Sequence, residues 1–144
     1  MAQTATDLTR ATEELLDAFN RSDWDKIRAM VAPDIVYTET GSGRRVEGVD
    51  AYIEACETWK RAFPDVSGTA RETVVSGDIV AQELRWEGTH TGPLETPNGT
   101  LEATNRRTET DASHWMRFDG DTVREMHHYI DVFSLLTQIG ALPH

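Results

Sequence analysis

The chain has 144 residues, of which 38% are apolar and 27% are charged, and its formal net charge is −11. This length and composition predict one globular domain over residues 1–144 and exclude a disordered chain. The acidic balance argues against nucleic acid and against an anionic membrane surface as partners.

At the N-terminus, the segment MAQTATDLTR contains no apolar stretch of the kind found in secretory signal peptides. No apolar run in the sequence approaches the roughly 20 residues that a membrane-spanning helix needs. Cys56 is the only cysteine, which excludes an intrachain disulfide and a cysteine-based zinc site. We therefore expect a cytoplasmic protein with no membrane partner.

Apolar residues at helical spacing predict helices in the first half of the chain, interrupted by a short β-prone run. Pro33 is expected to stop the second helix and Pro64 the third, because the residue before a proline disfavours the helical conformation. Asp50 is predicted to cap the third helix. The predicted elements are helix Thr6–Asn20, helix Trp24–Val31, strand Ile35–Thr38 and helix Asp50–Phe63.

In the second half, the apolar period changes from that of a helix to that of a strand. The dipeptide Asp119-Gly120 is a strong hairpin signal, and a loop rich in Gly, Thr and Pro occupies Gly88–Gly99. The predicted elements are strands Thr69–Ser76, Ile79–Trp86, Thr100–Thr110, Ala112–Phe118 and Val123–Tyr129, and a last helix Val132–Ile139.

Helices followed by antiparallel strands indicate an α+β fold. The simplest architecture is a curved sheet wrapped around one long helix, which leaves a cavity between the two that suits a small molecule. Alternation places Gln82, Leu84 and Trp86 on the inner face of one strand. It places His114 and Met116 on the inner face of another.

The stretch Val123–Gly140 concentrates the groups that could carry chemistry. His127 and His128 are neighbours on a strand and point to opposite faces, and periodicity alone does not decide which one faces the cavity. Asp131 lies at the joint between strand and helix, where an N-cap is a sufficient explanation and where a carboxylate could also orient a histidine. A histidine in an apolar pocket is the usual general acid or base.

Several sequence motifs are absent: the dinucleotide-binding glycine fingerprint, the P-loop, the zinc-binding HExxH and the nucleophile elbow GxSxG. His127 and His128 cannot easily bind one metal ion together, because they face opposite ways. A metal site of His114, His128 and Asp131 is possible in residue type, but nothing in the spacing supports it. We therefore expect no metal, and we give the terminal His144 no role.

The order and spacing of four stretches resemble those of the SnoaL-like polyketide cyclases, in the nuclear-transport-factor-2-like superfamily. The stretches are LLDAFNRSDWDKIRAMVAPDIVY, AFPDV, GTHTGPL and WMRFDGDTVREMHHYIDVFSLLTQIGAL, and with them the resemblance covers nearly the full chain. It implies a cone-shaped α+β barrel, in which a curved antiparallel or mixed sheet wraps around N-terminal helices and a short C-terminal helix follows. It also implies a deep apolar pocket and usually a dimer or larger assembly. It also implies ring closure by intramolecular aldol condensation without a metal or an organic cofactor.

The same resemblance assigns roles to single residues. Matching QIG in the last helix to the end motif of the family puts the family's acid/base aspartate at His128 and its second pocket histidine at His114. Asp131 matches an aspartate common at the start of the last helix. The imidazole at position 128 is a departure from the family, and we expect it to carry out the proton transfer.

We therefore predict a cofactor-independent enzyme that acts on a small hydrophobic, carbonyl-bearing substrate and forms a homodimer. His128 is the predicted general acid/base, His114 the oxyanion-side donor or proton partner, and Asp131 the orienting carboxylate. The residues predicted to shape the substrate pocket are Trp86, Tyr37, Leu84, Met116 and Gln82. The alternatives are a hydroxylase, isomerase or hydrolase of the same fold, a non-catalytic small-molecule-binding module, and an oligomeric scaffold with Trp115 and Arg117 in the subunit interface.

Overall fold

The structure, a computed structural model, describes residues 3–142, so His144 lies outside the described part of the chain. The described residues contain four helices and eight strands. The helices are α1 (Ala5–Asn20), α2 (Trp24–Met30), α3 (Val49–Ala62) and α4 (Val132–Ile139). The strands are β1 (Val31–Thr40), β2 (Arg44–Glu47), β3 (Ser67–Ser76), β4 (Ile79–Thr89), β5 (Leu94–Thr96), β6 (Gly99–Leu101), β7 (Arg107–Asp119) and β8 (Thr122–Ile130).

The start of α1 is fixed by a reciprocal cap. The hydroxyl of Thr4 accepts a hydrogen bond from the backbone N–H of Asp7 at 3.0 Å, and the Asp7 carboxylate accepts one from the backbone N–H of Thr4 at 3.2 Å. This arrangement satisfies amides that the first turn of a helix leaves unpaired. Leu8, Leu15 and Ala18 then recur on one side of the helix and are buried in the main core.

Six strands form one curved, mixed sheet in the order β2-β1-β8-β7-β4-β3. β1 and β8 run parallel, and the other neighbouring strands of this sheet run antiparallel. β5 and β6 form a separate two-stranded ladder. Tyr37, Met116 and Met126 from the sheet pack with Leu15 of α1 and Tyr52 of α3 in one core. The predicted α+β class, with N-terminal helices and a short C-terminal helix, is confirmed.

Helix α4 closes one end of the sheet. Asp131 caps it as predicted, by accepting a hydrogen bond from the backbone N–H of Ser134 at 3.1 Å. The side chain of Gln138 then bonds the backbone N–H and carbonyl of Glu109 on β7, at 2.7 and 2.8 Å. Leu135 and Ile139 are buried in a second apolar cluster. The helix is therefore tied to β7 by hydrogen bonds and packs through apolar contacts against the end of α3 and against β5.

Two boundaries in the first half differ from the prediction. α2 ends at Met30, and Pro33 lies inside β1, at an irregularity in the register between β1 and β8 where a missing N–H costs little. α3 begins after Gly48 and not at Asp50. The Asp50 carboxylate instead forms an exposed ion pair with Arg28 at 2.6 Å.

The second half contains a larger correction. The predicted strands Thr100–Thr110 and Ala112–Phe118 are largely one strand, β7, which starts at Arg107 after an irregular segment, residues 102–106. The predicted inner face of β4 is confirmed, since Val80, Gln82 and Leu84 are all 2% exposed or less. Among the described helices, none is long and apolar enough to cross a membrane.

Candidate active site

An apolar cavity lies between helices α1 and α3 and the inner face of the sheet. Its volume is about 80 Å³, which is room for several water molecules. Its apolar and aromatic lining includes Leu15, Phe19, Trp59, Trp86, Met116 and Met126. An apolar cavity with a few polar groups is the usual form of a small-molecule site.

The register of the sheet brings two histidines together in this cavity. His114 on β7 pairs directly with His128 on β8, so both side chains point to the same inner face. Their ring centroids are 4.2 Å apart and their planes are inclined by 75°, an edge-to-face contact. Trp86 on β4 packs against both rings, with its centroid 6.0 Å from that of His114 and 5.8 Å from that of His128.

Hydrogen bonds on both ring nitrogens fix the tautomer of His128. The indole N–H of Trp86 can only donate, and it donates to Nε2 of His128 at 3.1 Å. The Tyr37 hydroxyl gives its one hydrogen to Glu39 at 2.6 Å, so at 3.0 Å from Nδ1 of His128 its oxygen accepts. His128 is therefore neutral, with its proton on Nδ1.

Glu39 anchors this chain of hydrogen bonds from the far side. Glu39 is 1% exposed, and its carboxylate accepts four hydrogen bonds. The donors to Oε1 are Ser42 at 2.8 Å and Arg44 at 2.7 Å, and the donors to Oε2 are Tyr37 at 2.6 Å and Trp59 at 2.7 Å. The ion pair follows from the register, because Glu39 on β1 pairs with Arg44 on β2.

Burial keeps His128, His114 and Tyr37 uncharged at neutral pH. It lowers the pKa of His128 to about 3. Burial, and then the neighbouring His128, lowers the pKa of His114 well below 6.5. Burial, followed by the charge of Glu39, raises the pKa of Tyr37 well above 10.0. Each shift has the direction expected when the charged form of a group loses its hydration.

His114 differs from His128 in having no hydrogen bond. Among the described residues, neither of its ring nitrogens has a hydrogen-bond partner, and the side chain is only partly buried because it lines the cavity. The lone pair of a neutral imidazole is therefore presented to whatever occupies the cavity. Of the two histidines, His114 is the one free to exchange a proton with a ligand.

The sequence profile of the SnoaL-like polyketide cyclases matches residues 7–139. The chain belongs to this family. The match includes every element from α1 to α4, and with it both cavity histidines. No curated protein matches the sequence of this chain.

Three solved structures share the fold of this chain. A proposed SnoaL-like polyketide cyclase from Jannaschia sp. CCS1 is 19% identical with a TM-score of 0.83, and the match covers 99% of each chain. AclR of Streptomyces galilaeus, a proposed hydroxylase, is 26% identical with a TM-score of 0.81, over 98% of this chain and 85% of AclR. IdmH of Streptomyces antibioticus, a proposed polyketide cyclase, is 24% identical with a TM-score of 0.78, over 92% of this chain and 98% of IdmH.

Most of the residues predicted for the pocket of this SnoaL-like protein lie there. The cavity lining includes His114, His128, Trp86, Tyr37, Met116 and Gln82. Leu84 is fully buried but does not line the cavity. His127 lies on the outer face of the sheet and bonds Thr38 at 2.7 Å, which answers the question that periodicity left open.

Asp131 is not brought to the histidines. It is exposed and caps α4, and no hydrogen bond connects it to His128 among the described residues. The carboxylate connected to His128, through Tyr37, is that of Glu39. Nor do the described residues include a cluster of three or more His, Cys, Asp or Glu side chains arranged for a metal ion.

Sequence reasoning missed Glu39, although a signal for it was present. Glu39 follows Ile35 and Tyr37 at strand spacing, so it shares their buried face once β1 is extended past Thr38. An acid at a buried position requires a partner, and Arg44 follows it across the turn that contains Gly41 and Gly43. Ending the strand at Thr38 hid this pairing.

Proposed function

We propose that the protein is a cofactor-independent acid/base enzyme that closes a ring in a small hydrophobic substrate by intramolecular aldol condensation. Membership in the SnoaL-like family supports the reaction class. The observation that carries the proposal is His114, a neutral imidazole in an apolar cavity whose nitrogens have no partner among the described residues. Such a group can take a proton from a carbon that lies between two carbonyls.

In the proposed reaction, His114 accepts the proton of that carbon, and the electron pair of the broken C–H bond moves into the adjacent carbonyl to form an enolate. The enolate carbon attacks a second carbonyl of the same molecule and forms the new C–C bond. The resulting alkoxide takes the proton back from the His114 imidazolium, so nothing is oxidised and no proton is gained or lost. The cavity walls contribute mainly by folding the substrate so that these atoms meet.

His128 has a supporting role in this proposal. Both of its nitrogens are occupied, so the general-base role that the sequence suggested for it passes to His114. A second positive charge 4.2 Å from the His114 ring would oppose protonation of His114. By holding His128 neutral, Trp86 and Tyr37 leave His114 able to receive the proton. Trp86, Met116 and Gln82 are proposed to shape the substrate pocket.

The exchange of a substrate proton for deuterium tests the proposal. Methyl naphthoylacetate has an activated methylene between two carbonyls, and in deuterium oxide its exchange is followed by proton NMR. The wild-type protein is expected to accelerate the exchange over buffer, and His114→Gln to lose on the order of 100-fold or more of that acceleration. His127→Gln, on the outer face, is the matched control and should keep the wild-type rate. Wild-type exchange in His114→Gln would overturn the proposal.

A hydroxylase is the second candidate, because AclR is the one of the three compared structures that is more than 25% identical to this chain. Mass spectrometry of the product separates the candidates, since ring closure by aldol condensation adds no oxygen and hydroxylation adds one. A binding module without chemistry is the third. It predicts that the ester binds while its exchange stays at the rate in buffer.

We further propose that the protein is a cytoplasmic homodimer. Cell fractionation tests the location.

The outer face of the sheet supports the dimer. Three apolar side chains are exposed there, Val74 at 58%, Trp115 at 49% and Tyr129 at 46%, and Ala81 lies between Val74 and Trp115 in the register. An exposed row of apolar side chains is a common feature of subunit interfaces.

A further inference from the structure

Thr110 is a buried residue of the sheet whose side-chain hydroxyl is unpaired among the described residues. It lies on β7, lines the cavity and is 4% exposed. Its Oγ1 atom is buried and has no hydrogen-bond partner among the described residues. A buried hydroxyl in this state destabilises the folded protein, because the hydration that it has in the unfolded chain is not replaced.

The other threonines that line the cavity do not share this property. Thr12 donates to the carbonyl of Leu8 at 2.8 Å. Thr108, on the same face of β7 and also 4% exposed, donates to the carbonyl of Gly88 at 3.3 Å. The fold therefore satisfies the hydroxyls that serve only the structure, and Thr110 is the exception among these three residues.

The position of Thr110 relative to His114 defines a spacing. The two residues are four positions apart on one strand, so they face the same side at a Cα separation of about 13 Å. Ala112 lies between them on that face but does not line the cavity, whereas Thr110 and His114 both do. A ligand that reaches both groups must be elongated, with an apolar middle and a polar atom at each end.

We propose that the hydroxyl of Thr110 binds an oxygen atom, hydroxyl or carbonyl, at the far end of the substrate. This inference rests on the proposed function, because it takes the carbon that His114 deprotonates as the other end. It makes Thr110 a specificity-determining residue for elongated β-keto compounds with an apolar middle and an oxygen remote from the reacting carbon. A ligand that lacks this oxygen leaves the Thr110 hydroxyl unpaired and binds more weakly.

A matched pair of ligands and a matched pair of variants test this proposal. The ligands are methyl naphthoylacetate and its derivative with a hydroxyl on the far ring, and binding is followed through quenching of the fluorescence of Trp59 and Trp86, which line the cavity. Wild-type protein should bind the hydroxylated ester about 10-fold more tightly, the effect of one hydrogen bond. Thr110→Val should lose this preference with no fall in Tm, because it removes an unpaired hydroxyl.

Thr108→Val is the control and should show the opposite pattern. It leaves the Gly88 carbonyl without its donor, so we expect a lower Tm and an unchanged preference for the hydroxylated ester. Equal binding of the two esters by the wild-type protein, no binding of either, or a preference that survives in Thr110→Val would overturn the proposal.

The same ligands separate this inference from the proposed reaction. Binding needs no proton transfer, so His114→Gln should keep the preference for the hydroxylated ester while it loses exchange. If His114→Gln keeps wild-type exchange and Thr110→Val still loses the preference, the binding site is retained and the reaction is refuted. If the preference is absent and exchange depends on His114, the reaction stands and the role of Thr110 is refuted.

Discussion

The residue that sets the state of the site from a distance is Glu39. Its carboxylate holds the Tyr37 hydroxyl by its hydrogen, which turns the Tyr37 oxygen towards Nδ1 of His128 as an acceptor. Trp86 fixes the other nitrogen of His128. His128 is thus held between a donor and an acceptor, and neither end of the chain can reverse without breaking a buried hydrogen bond.

Replacing Glu39 by glutamine should be strongly destabilising. The carboxylate is buried and paired with Arg44 at 2.7 Å, and an amide would leave the Arg44 charge without its partner. Breaking a buried ion pair from one side costs about 3–5 kcal/mol. Urea unfolding of Glu39→Gln should show a loss of this order in the free energy of unfolding.

The neighbouring pair of Arg45 and Glu47 provides the control for this measurement. Its side chains are 57% and 66% exposed, so the pair is screened by solvent. Glu47→Gln should cost about 0.5 kcal/mol or less. A Glu39→Gln variant as stable as Glu47→Gln would show that the buried carboxylate does not hold the site together.

At this scale the sequence predicted the identity of the two cavity histidines but not their states. Alternation placed His114 inward, and the family resemblance selected His128 from the neighbouring pair. The tautomer of His128 could not be predicted, because it depends on Trp86 and Tyr37, which lie 42 and 91 positions away in the chain. Asp131 is close to His128 in the sequence, but its carboxylate caps α4 and does not join the hydrogen bonds of His128.

At the scale of elements, the pairing of β3 with β4 positions Trp86. Gly68 on β3 lies directly opposite Trp86 on β4, and the indole ring folds over the glycine. A Cβ atom at position 68 would lie 2.8 Å from Cε3 of Trp86 and 2.9 Å from Cδ1 of Leu16. The absence of a side chain at Gly68 therefore lets the ring reach His128.

Gly68→Ala should displace the indole ring and weaken its hydrogen bond to His128. Overpacking of this kind costs about 1–3 kcal/mol. In a Trp86→Leu background the ring is absent, so the same alanine should cost at least about 0.5 kcal/mol less. A double-mutant cycle by urea unfolding measures this coupling, and strictly additive effects would contradict the role assigned to Gly68.

The sequence located most elements, but it divided β7 wrongly. The predicted break between Thr110 and Ala112 is absent, and Asp111 lies on the outer face of the continuous strand, where it meets Arg85 at 3.3 Å and Arg71 at 3.5 Å. The strand predicted over residues 102–106 is absent, because Asn105 has a φ of +60° and its N–H donates to the carbonyl of His90. Tertiary pairing decided both cases against local pattern.

At the scale of the whole molecule, the overall fold was the most predictable feature. Helices in the first half and strands in the second leave few topologies that bury both apolar faces. The parallel pairing of β1 with β8 was not foreseen, because it joins residues about 90 positions apart and has no local signature. That pairing brings Tyr37 and Glu39 beside His128, so the site depends on the least predictable contact.

The proposed homodimer leads to a prediction at the same scale. Light scattering should give twice the chain mass of 16.2 kDa for the wild-type protein. Trp115→Glu should give the monomer, because it places a charge in the exposed apolar row of the outer face, and an exposed position should tolerate the change without unfolding. A monomeric wild-type protein would refute the dimer and leave the cavity chemistry untouched.

The neutral state and fixed tautomer of His128 are what leave His114 to act as the base, and NMR of the imidazole nitrogens measures both properties directly. A group whose pKa is lowered stays neutral until the pH falls to that pKa, so His128, with a pKa of about 3, should not titrate between about pH 8 and about pH 5. Its signals, assigned by their loss in His128→Gln, should show a protonated Nδ1 and an unprotonated Nε2. A His128 that titrates near its ordinary pKa, or that carries its proton on Nε2, would contradict the account.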